Sequence, residues 1–170
     1  MDRSPSAIQA APVLAREPYD SDGPRWVVAR AEDELVERYG LLHQSEQGLD
    51  AAMFDPPAGA FLVARRGDAA GPVLGGVGLR VPDPELQPAV GEVRRLWVDP
   101  GQRRLGVAQL LMAGLEDAAR ELGLLRLRLI TGDQQPEAIA LYASSGWELA
   151  SGGDPALEGY RFTKTLEAFS

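Results

Sequence analysis

Residues 92–108 decide how this chain folds, and they read EVRRLWVDPGQRRLGVA. The run from Val90 to Val98 predicts a strand, because its side chains are mostly apolar or favour extended backbone. Asp99-Pro100-Gly101 ends the strand, since proline donates no hydrogen bond and glycine favours a turn. From Gly106 to Leu122 apolar residues recur every three or four positions, which predicts a helix with one apolar face. The stretch is therefore a strand, a loop with two arginines, and a helix.

The start of this helix is predicted to bind an anion. The first four N–H groups of a helix have no partner within it, and the helix dipole is positive there. No Asp, Ser, Thr or Asn lies between Gln102 and Ala108 to cap those groups. Gly106 and Ala108 leave room for a phosphate, and Arg103 and Arg104 add positive charge. The alternative is an ordinary connection whose amides bind water.

Two familiar phosphate loops do not match this stretch. The loop lacks the Gly-Lys-Ser/Thr ending of a P-loop. It also lacks the Gly-x-Gly-x-x-Gly pattern that binds dinucleotides after a first strand.

The pattern Arg103-x-x-Gly106-x-Ala108 resembles the pyrophosphate loop of the GCN5-related N-acetyltransferases, which reads Gln/Arg-x-x-Gly-x-Gly/Ala. Upstream, residues 92–100 are similar to the fourth strand of that family. Downstream, residues 135–147, which read QPEAIALYASSGW, are similar to the helix and strand that follow in the family. The three pieces occur in the family's order and at its spacing. The resemblance is good from Val90 to about Leu149 and looser elsewhere.

The remaining patterns predict one mixed α/β domain over residues 12–170, after a flexible segment at 1–11. Further strands are predicted at 12–16, 59–65, 73–81, 124–130, 147–149 and 159–166. Further helices are predicted at 26–39, where Val27-Val28 offers a strand alternative, at 135–145, and less regularly within 41–57. The resemblance implies the acyl-CoA N-acyltransferase fold: a single, mostly antiparallel mixed sheet flanked by helices, with two central strands splayed around the cofactor.

Three glycines interrupt the strand predicted at 73–81, namely Gly75, Gly76 and Gly78. Glycines in a strand interior indicate a bulge or a close approach of another backbone. The alternative is a flexible edge strand.

Composition narrows the function further. The 170 residues include 17 basic and 25 acidic ones, a net charge of −8, which argues against nucleic acid or an anionic membrane as a partner. The same balance is consistent with a cationic amine as the acceptor. With no cysteine and one histidine, neither a disulfide framework nor a zinc site is expected. No apolar run reaches about 18 residues and no signal pattern opens the chain, so a cytoplasmic protein is expected.

The resemblance implies that the chain uses acetyl-CoA or another acyl-CoA, and no metal. Backbone groups at the strand end would pair with the pantetheine arm, and loop amides would hold the pyrophosphate. Gln135 stands where many members have an asparagine, and Arg104 stands where many have a glycine. The residues implied to bind the cofactor are Leu96, Trp97, Val98, Arg103, Arg104, Leu105, Gly106, Val107, Ala108 and Gln135.

The implied reaction is direct attack of an amine on the thioester, without a covalent enzyme intermediate. Glu92 is the candidate base, acting through water; the alternative is a strand carboxylate in a salt bridge, such as one with Arg94. Tyr142 stands where the family often has a tyrosine that donates to the departing thiolate; the alternative is a packed tyrosine. Glu34 and Glu37 are expected on a helix surface, and the alternative is that they approach the acceptor. The single His43 belongs to no motif.

Two classes of function fit these patterns. The first is an N-acetyltransferase that acts on a primary amine of a small molecule or protein. The second is a non-catalytic acyl-CoA sensor on the same fold, which would need neither Glu92 nor Tyr142. A generic phosphate binder would not explain residues 135–147. The acceptor would meet residues 41–57 and 151–158, whose patterns do not identify it, and a homodimer is implied only by family habit.

Overall fold

The fold is built on one mixed β-sheet. The structure is a computed structural model that describes residues 10–40, 51–85, 89–131, 136–150 and 159–167. Within those residues the sheet has seven strands in the order β1-β2-β3-β4-β5-β7-β6, and only β4 and β5 run parallel. The strands are β1 (Pro12–Arg16), β2 (Gly59–Arg66), β3 (Val73–Arg80), β4 (Val90–Val98), β5 (Arg126–Thr131), β6 (Glu148–Leu149) and β7 (Tyr160–Thr165). The predicted single mixed, mostly antiparallel sheet is confirmed.

Helices cover both faces of this sheet. They are α1 (Asp22–Tyr39), α2 (Val107–Glu121) and α3 (Pro136–Ser144), with short 3-10 helices at Ala51–Phe54 and Pro100–Gln102. Helix α2 buries its predicted apolar stripe, including Leu111 and Leu115, against one face. Helix α1 and the first 3-10 helix pack on the other face around Phe61 and Trp97.

Helix α1 differs from its prediction at its start. It begins at Asp22 rather than Trp26, because Pro24 fits the first turn of a helix, where its missing N–H is not needed. Val27 lies inside the helix and is fully buried, so the strand alternative for Val27-Val28 is wrong. Of the helix predicted within 41–57, residues 41–50 lie outside the described residues and only Ala51–Phe54 is helical beyond them.

The centre of the sheet opens where β4 and β5 part. The two strands are paired only from Val90 to Glu92, opposite Arg126 to Arg128. Strand β4 also contains a bulge. Gly76 of β3 pairs with Trp97, and Gly78 pairs with Arg94, so the same interval spans two residues on β3 and three on β4. Arg95 in the bulge has a φ of 60°. The bulge and the divergence together leave a gap between the central strands, as the family resemblance implies.

The glycines of β3 are sites of close approach. A Cβ at Gly75 would lie 2.5 Å from the carbonyl oxygen of Trp97, and one at Gly78 would lie 2.8 Å from Cε1 of Phe54. Strand β3 lies between β2 and β4 in the sheet. The close-approach interpretation is therefore confirmed, and the flexible-edge alternative is wrong.

Two large apolar side chains near the predicted ends of their elements are exposed. Leu125 precedes β5 instead of belonging to it, and it is 52% exposed. Trp26 is 37% exposed and packs edge-on against Trp97 with Arg30 over its ring. No helix of the described chain has the length and apolar character needed to cross a membrane.

Candidate active site

The loop before α2 leaves the start of that helix uncapped. Gly106 is the N-cap residue with a φ of 85°, and no side chain among the described residues forms a capping hydrogen bond there. The nearby Asp99 carboxylate instead accepts the N–H of Gly101 at 3.1 Å, which caps the preceding 3-10 helix. The start of α2 therefore lacks a side-chain cap among the described residues, as predicted, and its N–H groups could bind an anion.

Arg104 adopts a backbone conformation that suits glycine. Its φ is 67°, in the left-handed region that glycine enters at no steric cost and arginine enters rarely. This explains physically why a loop of this shape accepts glycine at that position, as the family resemblance implies.

The side chain of Arg103 is held by the protein itself. Its Nε donates to the carbonyl oxygen of Val98 at 3.0 Å, and its Nη2 donates to both carboxylate oxygens of Glu34 at 2.7 and 2.9 Å. Nε1 of Trp97 and Nη2 of Arg38 donate to the same carboxylate at 2.9 and 3.0 Å. Glu34 thus connects α1 to β4 and to the loop, and its single negative charge is shared by Arg103 and Arg38.

A cavity of about 560 Å³ lies against this loop. Leu105 is 65% exposed and does not line it, and Gln135 lies outside the described residues. The structure brings the other predicted cofactor-binding residues together here: Leu96, Trp97, Val98, Arg103, Arg104, Gly106, Val107 and Ala108.

A second cavity, of about 490 Å³, extends into the gap between β4 and β5. It contains both predicted catalytic residues, Glu92 and Tyr142. It shares Leu96, Trp97 and Glu34 with the loop cavity, so the two form one cleft. The uncapped helix lies at one end of this cleft, and the two candidate catalytic residues lie at the other.

The carboxylate of Glu92 is paired with three arginines. Nε of Arg80 donates to it at 3.0 Å, Arg128 donates at 3.0 and 3.2 Å, and Nε of Arg94 also donates to it. Burial alone would raise the pKa of Glu92, but the charges and hydrogen bonds of the arginines outweigh it and hold the pKa below its usual value. These contacts match the salt-bridge alternative, extended from one arginine to three.

Tyr142 lies on the inner side of α3 and is 5% exposed. Its ring packs against Trp147 and Phe162 at centroid distances of 5.7 and 5.6 Å. Burial raises the pKa of Tyr142 well above its ordinary value, because the phenolate loses its solvation there. The hydroxyl therefore stays protonated at neutral pH and can act as a proton donor.

Sequence patterns missed two parts of the site. Glu34 is a half-buried hub instead of the expected surface residue, because its partners lie 63 and 69 positions along the chain. Two of the three arginines around Glu92, Arg80 and Arg128, were also missed, although a signal for Arg128 was available. Arg128 alternates with buried Leu127 and Leu129, which places it on the opposite face of β5 from them.

Comparison with known proteins agrees with this geometry. A family model described as "Acetyltransferase (GNAT) family" matches residues 27–147. An IAA acetyltransferase of Azospirillum brasilense is 36% identical over 67% of this chain and 72% of its own length. A mycothiol acetyltransferase of Sanguibacter keddieii is 32% identical over 89% of this chain, which spans only 50% of that protein.

A solved structure shares the fold. The GNAT-family acetyltransferase of Staphylococcus aureus superimposes with a TM-score of 0.70 over 92% of this chain and 100% of its own, at 14% identity. At 14% sequence identity, the structural similarity shows only that the two proteins share a fold. The family match covers most of the chain and includes the strand, loop and helix that form the cleft, so the chain belongs to the acetyltransferase (GNAT) family of acyltransferase enzymes.

Proposed function

We propose that this chain transfers an acetyl group from acetyl-CoA to a primary amine of a small molecule or protein, by direct attack in a ternary complex. The observation that carries the proposal is the single cleft with the uncapped start of α2 at one end and the buried Tyr142 at the other. The names of the two relatives refer to different acceptors, so they do not identify the acceptor of this chain.

The residues present fit acetyl-CoA. The backbone N–H groups of Arg103 to Ala108 would hold its pyrophosphate, and a Cβ at Gly106 would meet no atom closer than 3.9 Å, so the approach is open. Leu96, Trp97 and Val98 offer strand backbone to the pantetheine arm at the bulge of β4. When bound, acetyl-CoA supplies an activated acyl group as a thioester.

The chain's own residues would move protons at the other end of the cleft. Tyr142 keeps its proton in the cavity and would donate it toward the sulfur of the departing coenzyme A, where negative charge develops as the C–S bond breaks. Glu92 is the base candidate by position and would act through water. Its lowered pKa makes it a weak base toward a lysine-like amine with a pKa of about 10.4. Its ion pairs give it a second role, which is to position Arg94 and Arg128.

The non-catalytic sensor is the less well supported function. A binder would not require a protonated tyrosine in the cavity between the splayed strands. The named relatives are both acetyltransferases, which also favours an enzyme.

Amine-dependent thiol release from acetyl-CoA tests the proposal directly. The chain has no cysteine, so a thiol-reactive dye reports coenzyme A without background from the protein. Thiol release that rises with added amine and falls in Tyr142→Phe and Glu92→Gln is expected. Tight acetyl-CoA binding without release for any member of a broad amine panel would instead support the sensor.

A further inference from the structure

Thr131, the last residue of β5, is a buried polar residue beside the gap between β4 and β5. It is 6% exposed, and aromatic residues aside it is the one polar or charged residue that is buried in the described part of the chain. Its hydroxyl makes no hydrogen bond with another described residue. A buried hydroxyl without a partner destabilises a fold, because it has given up its hydrogen bonds to water. The packing of the sheet therefore does not explain a threonine at this position.

The side chain of Thr131 lies on the face of the sheet that carries α2 and α3. In β5 the buried residues Leu127, Leu129 and Thr131 alternate with exposed ones, so their side chains share one face. Leu127 and Leu129 belong to the same core cluster as Leu111 of α2 and Tyr142 of α3. Thr131 is therefore on the side of the cleft that holds the proposed proton donor.

The backbone of Thr131 lies beyond the point where β4 and β5 separate. The two strands are last paired at Glu92 and Arg128, and Thr131 lies farther along β5. There it pairs with Tyr160 of β7, on the side of β5 away from β4. Thr131 lines the cavity between the strands together with Tyr142. A ligand that enters the gap would thus pass this residue on its way to Tyr142.

The pantetheine arm of acetyl-CoA would bring amide groups into this gap. Leu96 and Val98 offer strand backbone to the side of the arm that faces β4. On the side that faces β5, the buried side chains before Thr131 are Leu127 and Leu129, which form no hydrogen bonds. A hydroxyl both donates and accepts, so Thr131 can pair with an amide group that burial would otherwise leave without a partner.

We infer that the hydroxyl of Thr131 hydrogen-bonds an amide of the pantetheine arm and holds the arm beside Tyr142. The inference rests on the proposed acetyltransferase function and deepens it, because it adds a cofactor-binding residue from β5 to those of β4 and the loop. The arm is then held from both strands of the gap. The acceptor is the less suitable partner for Thr131, since Ala31 of α1 lines the same cavity from the opposite face of the sheet.

Three substitutions of threonine test the inference. Thr131→Val keeps the shape of the side chain and removes the hydroxyl, whereas Thr131→Ser keeps the hydroxyl and removes a methyl group. Thr165→Val is the matched control, since Thr165 is an exposed residue of β7 that lines neither cavity. Thr131→Val should melt at or above the wild-type temperature, because valine brings no hydroxyl that needs a partner in the free protein.

Calorimetry with two ligands locates the contact on the arm. Acetyl-CoA is compared with 3′-phospho-ADP, which carries the same phosphates but lacks the pantetheine arm. We expect Thr131→Val to bind acetyl-CoA about fivefold more weakly than the wild type, the effect of one hydrogen bond, and to bind 3′-phospho-ADP equally well. Thr131→Ser and Thr165→Val should bind both ligands as the wild type does.

The outcomes separate this inference from the proposed function. Wild-type affinity of Thr131→Val for acetyl-CoA would overturn the inference and leave the acetyltransferase in place. Equal weakening of both ligands in Thr131→Val, with a lower melting temperature, would also overturn it, because the hydroxyl would then support the fold. Absence of acetyl-CoA binding by the wild type would reject the proposed function itself, and the inference with it.

Discussion

Tyr142 is a buried residue that also lines the cavity between β4 and β5. Trp147 and Phe162 fix the ring, and burial raises the pKa of the phenol so that the proton stays on it at neutral pH. Packing and proton donation were alternatives for this residue in the sequence. In the structure they are compatible, because packing is what orients the hydroxyl.

Replacing Tyr142 by phenylalanine removes that proton and keeps the ring. We expect kcat to fall about a hundredfold, since general acid catalysis contributes at least that much, with little change in the KM for acetyl-CoA. The melting temperature should change little because the aromatic contacts remain. Tyr160→Phe on β7 is the control and should keep wild-type kcat, since Tyr160 lines neither cavity. An unchanged kcat in Tyr142→Phe would show that the hydroxyl takes no part.

Strand β4 is the element that makes the cleft. Its bulge turns Leu96 and Trp97 relative to β3, and its pairing with β5 ends at Glu92. The close approach of Gly75 to Trp97 holds the strand in this position. Arg95, in the bulge, has a left-handed backbone conformation that residues other than glycine rarely adopt. The surrounding sheet must stabilise that conformation.

A methyl group at Gly75 should disturb this element. Its Cβ would lie 2.5 Å from the backbone oxygen of Trp97, which cannot move without the strand. We expect Gly75→Ala to lower the free energy of unfolding by about 2 kcal/mol, the usual cost of overpacking, as measured by urea titration. Gly101→Ala is the control, because its nearest contact would be 3.8 Å away. Equal stability of the two variants would contradict the close packing of β3 on β4.

Elements whose apolar residues recur at a regular spacing were predictable from the sequence. The apolar residues that recur every three or four positions identified the buried face of α2, because residues at that spacing lie on one side of a helix. The start of α1 was predicted at Trp26, and the helix begins earlier, at Asp22. The gap between β4 and β5 has no signal of its own in residue patterns and came from the family resemblance.

On the scale of the whole molecule, ion pairs join elements that are distant in the chain. Glu34 of α1 meets Arg103 of the loop, and Glu92 of β4 meets Arg80 and Arg128 on the neighbouring strands. Residue patterns could not predict these contacts, because they depend on the final register of the sheet and the position of α1. They surround the cleft and place both carboxylates among arginines.

The pairing of Glu92 predicts a pH dependence of stability. Its pKa is lowered in the folded protein, so its contribution is present above the unfolded pKa of about 4.3 and is lost as the pH falls through the folded value. At neutral pH we expect Glu92→Gln to be less stable than the wild type by about 2 kcal/mol. That difference should shrink below about pH 4 in urea titrations.

The exposed Glu37 of α1 supplies the control for this experiment, as Glu37→Gln. It should remain within about 0.5 kcal/mol of the wild type at every pH. The assigned ion pairs would be contradicted if the difference in free energy of unfolding between Glu92→Gln and the wild type stayed constant from neutral to acidic pH.

The central claim is that the start of α2 holds the pyrophosphate of acetyl-CoA. Calorimetry of acetyl-CoA binding with Ala108→Glu and Ala113→Glu tests it most directly. Both changes add one carboxylate to α2, but Ala108 lines the loop cavity whereas Ala113 is exposed farther along the helix. An acidic residue near a helix start favours the helix, so Ala108→Glu should fold.

We expect micromolar binding by the wild type and by Ala113→Glu. Binding to Ala108→Glu should be weaker by about tenfold or more, because two negative groups would face each other in the loop cavity. Equal affinity of all three proteins would place the cofactor elsewhere. Absence of binding by the wild type would contradict the assignment of this cleft to acetyl-CoA.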